Sequence, residues 1–128
     1  MARGLDINPE VPRHAQLIQG YREGGFTIGG VRHTGSVLVL PERTLTWEVS
    51  ELHEVSAATL APILEAEPTV EILVLGSGSR FAMVSQELRA ELKSRGVIVE
   101  SMDSRAACRT FNLLLAEDRR VAAALIAI

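Results

Sequence analysis

Cysteine, aromatics and lysine are the scarce residues of this 128-residue chain. Its one cysteine, Cys108, excludes an internal disulfide and a cysteine-cluster zinc site. Phe, Tyr and Trp together make up 4% of the residues, and no cationic run is interleaved with them. Nucleic-acid binding wants clustered cations and stacking platforms, so no nucleic acid is expected as a partner. Long apolar stretches are missing too. The longest, Val121–Ile128, has 8 residues, against roughly 20 for a spanning helix. The first residues carry no apolar signal core, and Asp6, Glu10 and Glu23 speak against a transit peptide. A soluble, cytoplasmic protein without a transmembrane segment is the expectation. His14, His33 and His53 are scattered without metal-ligand spacing. Neither a metal nor a cofactor is expected.

What is present is enough apolar material for a core: 47% hydrophobic and 23% charged residues, with a net charge of −3. Such a chain folds rather than stays disordered, and its length fits a single domain over 1–128. Gly4, Asn8, Pro9 and Pro12 mark residues 1–12 as an irregular arm. The charge is unevenly spread. Between Thr44 and Ser79 the chain carries Glu48, Glu51, Glu54, Glu65, Glu67 and Glu71, and no Lys or Arg.

Glycine and proline divide the first half into short strands. Phe26-Thr27-Ile28 alternates, Gly29-Gly30 turns the chain, and Val31-Arg32-His33 returns. Ser36-Val37-Leu38-Val39-Leu40 is stopped by Pro41. After a turn over Pro41–Thr44, Leu45, Trp47 and Val49 share one face, with Trp47 a core residue. These strands predict a β-meander. The period lengthens after Val55. Thr59 is placed to cap a helix with Leu60, Ile63 and Leu64 on one face and Pro62 in its first turn. Residues 70–75 form a mostly continuous apolar run, the mark of a strand buried on both faces. Ser85 caps a helix over Gln86–Arg95, with Leu88 and Leu92 inward and Gly96 as its left-handed stop. Val97-Ile98-Val99 reads as the next buried strand, parallel to the first through a right-handed crossover. Asp103 caps a third helix, whose inward stripe is Ala107, Thr110 or Phe111, and Leu114. Val121–Ile128 reads as a buried strand, although its alanines lean toward helix. The predicted fold class is α/β: a single three-layer domain with a meander attached to a β-α-β-α-β half.

The chemistry-bearing candidates gather at strand ends. Gly76-Ser77-Gly78-Ser79 follows the first buried strand, and its two glycines would let backbone N–H groups approach an anion. The stretch lacks the third glycine of a dinucleotide fingerprint and the Lys-Ser/Thr of a phosphate loop. A tight turn that needs glycine stands beside the ligand reading. Ser101-Met102-Asp103-Ser104 ends the next strand, so Ser77, Ser79 and Asp103 share a rim if the two strands are neighbours. Asp103 is then a helix cap or a site acid. Arg105, Arg109 and Asn112 lie along one side of the third helix, where they hold a carboxylate or phosphate or simply face solvent. Arg119-Arg120 are placed to hold that helix's terminal carbonyls. Cys108 reads as a small packing residue. Ser77 sits in no nucleophile elbow and has no evident His partner, so no catalytic residue is assigned.

Several stretches together resemble one family: Gly24–Ile28 with Gly35–Val39, Trp47, Ile72–Gly78, Val99–Ala107, and Thr110–Leu114 followed by Glu117 and Arg119–Val121. That family includes the mitochondrial complex I assembly factor three, the adipogenesis-associated domain protein and many small bacterial proteins. The resemblance runs from about Gly24 to the C-terminus. It implies a β layer packed on an α/β layer with a mixed central sheet, and a terminal strand running antiparallel within that sheet. The family's Gly-Thr-Gly stands here as Gly76-Ser77-Gly78, which keeps the hydroxyl. Its Thr-Tyr-Asn stands as Thr110-Phe111-Asn112, which loses a phenol. The resemblance implies assembly work and no established catalysis.

Two functions of different class follow. One is a non-enzymatic binding or assembly module whose partner is another protein, with the acidic residues 48–71 as an available surface. The other is a small-molecule (anion) binding protein or enzyme whose site comprises Gly76, Ser77, Gly78, Ser79, Asp103, Arg105, Arg109 and Asn112. A concave polar pocket at that rim would favour the second; a filled rim favours the first.

Overall fold

A computed structural model describes residues 16–128, so the expected arm at residues 1–12 and His14 lie outside the described residues. Positive backbone φ is what closes the first turns. Gly29 and Gly30, at φ +57° and +83°, form a two-residue hairpin between β2 (Gly25–Ile28) and β3 (Val31–Thr34). β1 (Ile18–Arg22) pairs antiparallel with β2 to complete a three-stranded sheet of order β1-β2-β3. β1 was not foreseen from sequence. A register shift between Ile18 and Gly20 breaks its alternation, and Ile18 is its one buried residue.

The second sheet has five strands in the order β5-β4-β8-β6-β7. They are β4 (Val37–Val39), β5 (Thr44–Thr46), β6 (Ile72–Gly76), β7 (Ile98–Met102) and β8 (Val121–Leu125). The single meander expected for the first half is therefore divided between two sheets. The reason lies in Val37-Leu38-Val39, at 0%, 2% and 0% exposure. A strand apolar on both faces belongs in the middle layer. β8 inserts between β4 and β6, with every side chain buried. It runs antiparallel to β4 but parallel to β6, so the implied antiparallel course holds on one side only. β6 and β7 are parallel neighbours, as the crossover predicted. β7 is the sheet's edge, however, and not a strand buried on both faces: Ile98 is exposed.

Two of the expected helix caps form. Ser85 accepts the Leu88 N–H at 3.1 Å to start α2 (Gln86–Ser94), and Gly96 takes φ +85° after its end. Asp103 accepts the Ala106 N–H at 2.9 Å to start α3 (Ser104–Ala116). The buried stripe of α3 is Ala107, Cys108, Phe111 and Leu115, so Phe111 rather than Thr110 turns inward, and the expected Leu114 packs partly buried against the same cluster beside Leu115. α1 is a single turn, Ala61–Leu64, with no side-chain cap. Thr59 instead forms a reciprocal pair with Ser56: each hydroxyl accepts the other's backbone N–H, at 2.9 and 3.2 Å. That box belongs one turn earlier than expected.

The central sheet separates two apolar clusters. On one face α1, α2 and the segment bearing Trp47 and Val49 cover Leu38, Leu73, Leu75, Ala122 and Ala124. On the other, α3 and the three-stranded sheet cover Val37, Val39, Val74, Ala123 and Leu125. The result is a three-layer α/β domain with a mixed central sheet.

Candidate functional site

The carboxyl ends of β6 and β7 do come together, and the rim they form is knotted by internal hydrogen bonds. The Ser77 N–H donates to the Met102 carbonyl at 2.9 Å. The Gly78 N–H donates to Ser104 Oγ at 2.9 Å, and the Ser104 hydroxyl donates to the Ile126 carbonyl at 2.7 Å. The Ser104 N–H returns to the Gly78 carbonyl at 2.8 Å, and the Ile126 N–H donates to the Gly76 carbonyl at 3.0 Å. Ser104 is fully buried and joins the ends of β6, β8 and α3. Sequence reasoning passed it over as one residue of a cap loop. The signal was indirect: Gly76 leaves room for it. A Cβ on Gly76 would lie 2.7 Å from Ser104 Oγ, 2.9 Å from Ser104 Cα and 3.0 Å from Leu125 Cδ2. Gly76 is thus required by space, whereas Gly78 is required by its φ of +99°.

The Ser77 hydroxyl is committed as well. It accepts the Ala82 N–H at 3.0 Å and donates to the Arg80 carbonyl at 2.6 Å. This pair of bonds shapes the loop that holds Phe81 outward, 61% exposed. Met83 on the same loop is exposed too. Neither residue was singled out from sequence, because a lone phenylalanine carries no periodic signal. Ser79 is exposed on the same turn.

The polar stripe on α3 proves to be a seam. Asn112 grips the backbone of β1 with both ends of its amide: Oδ1 accepts the Ile18 N–H at 2.9 Å, and Nδ2 donates to the Ile18 carbonyl at 2.8 Å. The Arg105 guanidinium lies 5.8 Å from the Tyr21 ring centroid, also on β1. Arg109, between them, is exposed. Asp103 is spent on its cap. The Arg119 backbone N–H takes up the Leu114 carbonyl of α3 at 3.0 Å, but the guanidinium groups of Arg119 and Arg120 close on Glu71 instead, at 4.0 and 2.9 Å. Glu54, also from the acidic stretch, accepts the N–H groups of Ser50 and Glu51, which hold its carboxyl below the usual range. Burial pushes the Cys108 thiol up to about 12, against a small opposing pull from Arg109. Such a thiol is inert packing. Trp47 is buried, with its indole N–H donated to the Thr59 carbonyl at 2.9 Å.

Among the described residues no three His, Cys, Asp or Glu side chains converge as metal ligands. No helix there is long and apolar enough to cross a membrane.

A family model described as "Protein of unknown function (DUF498/DUF598)" matches residues 18–126. A Danio rerio relative, NADH dehydrogenase (ubiquinone) 1 alpha subcomplex assembly factor 3, is 42% identical over 110 residues. That match takes in 86% of this chain and 63% of the relative, so the chain spans less than two thirds of that protein's length. A Bartonella henselae chain described as an outer membrane protein superposes with a TM-score of 0.81 at 32% identity, over 90% of this chain and 97% of that one. The Rpa2829 protein of Rhodopseudomonas palustris gives 0.79 at 34% identity, over 100% and 93%. The similarity falls on the family that the sequence motifs pointed to.

Proposed function

The chain belongs to the DUF498/DUF598 family of unknown function, and from that premise we propose that it is a non-enzymatic, protein-binding module of the assembly type. The observation that carries this reading is the inward commitment of the rim. An anion site at a strand-to-helix turn works by leaving backbone N–H groups free to face the ligand. Here the Ser77 and Gly78 N–H groups are donated to Met102 and Ser104, and Asn112 is donated to β1. A nucleophile needs an activating base or a lowered pKa. Ser77 gives its proton to a backbone carbonyl, and the Cys108 thiol is raised rather than lowered. What the same turn offers outward includes two large apolar side chains, Phe81 and Met83, beside exposed Ser79 and Arg80, on a loop fixed by Ser77. An aromatic held outward on an ordered loop is the kind of anchor that protein interfaces use. The name of the Danio rerio relative, an assembly factor, points the same way.

The test is affinity purification of the tagged chain from its source organism after chemical cross-linking, with quantification by mass spectrometry. The expected result is a polypeptide stoichiometric with the bait, reduced at least tenfold by Phe81→Ser. Recovery of the chain alone, together with shifts of the residue 76–79 amides in millimolar phosphate, would overturn the reading in favour of an anion site.

A further inference from the structure

Among the described residues, β7 has a strand partner on one side only. Its Ile98 N–H donates to Glu71 and its Met102 carbonyl accepts from Ser77, so Ile98, Glu100 and Met102 turn their backbone groups toward β6. Alternation then turns the N–H and C=O of Val99 and Ser101 outward. Among the described residues no strand pairs with that edge. Beside it runs a groove of about 560 Å³ between β7 and α3, lined by Ile72, Ile98, Glu100, Thr110 and Leu114 and bounded by Glu71 with Arg119. Ile98 is 45% exposed in it. Glu71 has its charge answered by Arg119 and Arg120. Glu100 has no ion pair among the described residues and is exposed in the same groove.

We propose that this edge takes an extended segment of a partner protein by strand addition, with an apolar side chain over Ile98 and a Lys or Arg two residues along facing Glu100. Strand addition draws affinity from main-chain hydrogen bonds and specificity from alternate side chains. The period of two along a strand puts both residues of the segment on the groove side. A second copy of this chain is the poorer occupant. The register that pairs all of β7 with a twofold-related β7 sets Glu100 directly opposite its own copy, and like charges there are destabilising. The proposal rests on the protein-binding reading above and adds a second locus to the Phe81 loop.

The test selects 12-residue peptides from a random phage-displayed library against the whole chain, then maps them by amide hydrogen exchange. Enriched peptides should carry an apolar residue and a Lys or Arg two positions apart. They should protect the Val99 and Ser101 amides, and Glu100→Lys should weaken them at least tenfold. Ile98→Ser, at an exposed position, should weaken them as well. A selection that yields no peptide protecting those two amides overturns the proposal, as does binding indifferent to Glu100→Lys. Protection of the same amides in a dimer without peptide would also overturn it, in favour of a second copy. If the cross-linked partner is captured undiminished by Glu100→Lys, the protein-binding reading stands and this edge is not its site. If peptides bind as expected but no polypeptide is captured, the edge stands and the assembly reading falls.

Discussion

Two regions of the same pair of strands, their carboxyl ends and the outer side of β7, behave oppositely. The rim at Gly76–Ser79 looks chemical in sequence, with glycines, hydroxyls and arginines nearby, yet its polar groups bond to one another. The outer edge of β7 is nondescript in sequence, a short apolar run interrupted by one glutamate, yet among the described residues its backbone and Glu100 remain unanswered. The difference teaches that residue type alone does not mark a site. What decides is whether the donors and acceptors of those residues are left over once the fold has used what it needs.

Substitutions at the rim and at the edge should therefore separate cleanly. The largest effect is expected from Gly76→Val. Its Cβ would press on the Ser104 backbone, which cannot rotate away, and overpacking of this kind costs about 3 kcal/mol. Urea denaturation should show a fall in midpoint at unchanged m. Ser104→Ala comes next. It leaves the Gly78 N–H and the Ile126 carbonyl without their buried partner, for about 2 kcal/mol. Cavity and hydrogen-bond terms both enter, so Ser104→Cys should recover only part. Asp103→Ala removes the α3 cap and should cost about 1 kcal/mol by the same measurement. At the edge, Glu100→Lys should leave the denaturation curve unmoved, as surface changes do. Arg109→Ala, on the exposed part of α3, should do likewise. A Glu100→Lys protein that melts early would make the edge structural and erase the contrast.

How much of this was legible beforehand depends on how local each cause is. Ser85 and Asp103 cap helices that begin one residue later, so the cap could be read beside the helix it serves. The strand at Val121–Ile128 was legible because a continuous apolar run admits few places in an α/β domain, although it ends at Leu125, three residues short of the run. β1 was not, since the register shift at Gly20 destroys the period that identifies a strand. Nor was the division of the first-half strands, because hairpin signals mark turns without saying which sheet each strand joins. The roles of Ser104 and Asn112 were hidden for a similar reason. Each bonds to a segment distant in sequence, Ile126 for one and Ile18 for the other. Thr59 misled because the cap chemistry was correct but served the Ser56 turn instead of α1. The side chains of Arg119 and Arg120 misled because a tertiary acid, Glu71, lay within reach, which left only the Arg119 N–H on an α3 carbonyl.

Native-state amide hydrogen exchange, read at three residues in one experiment, tests the contrast most directly. Exchange reports the free energy needed to open each amide. The expected result is slow exchange at Gly78, approaching the rate set by global unfolding and unaltered by millimolar phosphate, with fast exchange at Val99 and Ser101. Fast exchange at Gly78 that phosphate slows, beside protected Val99 and Ser101 amides in the isolated chain, would contradict it.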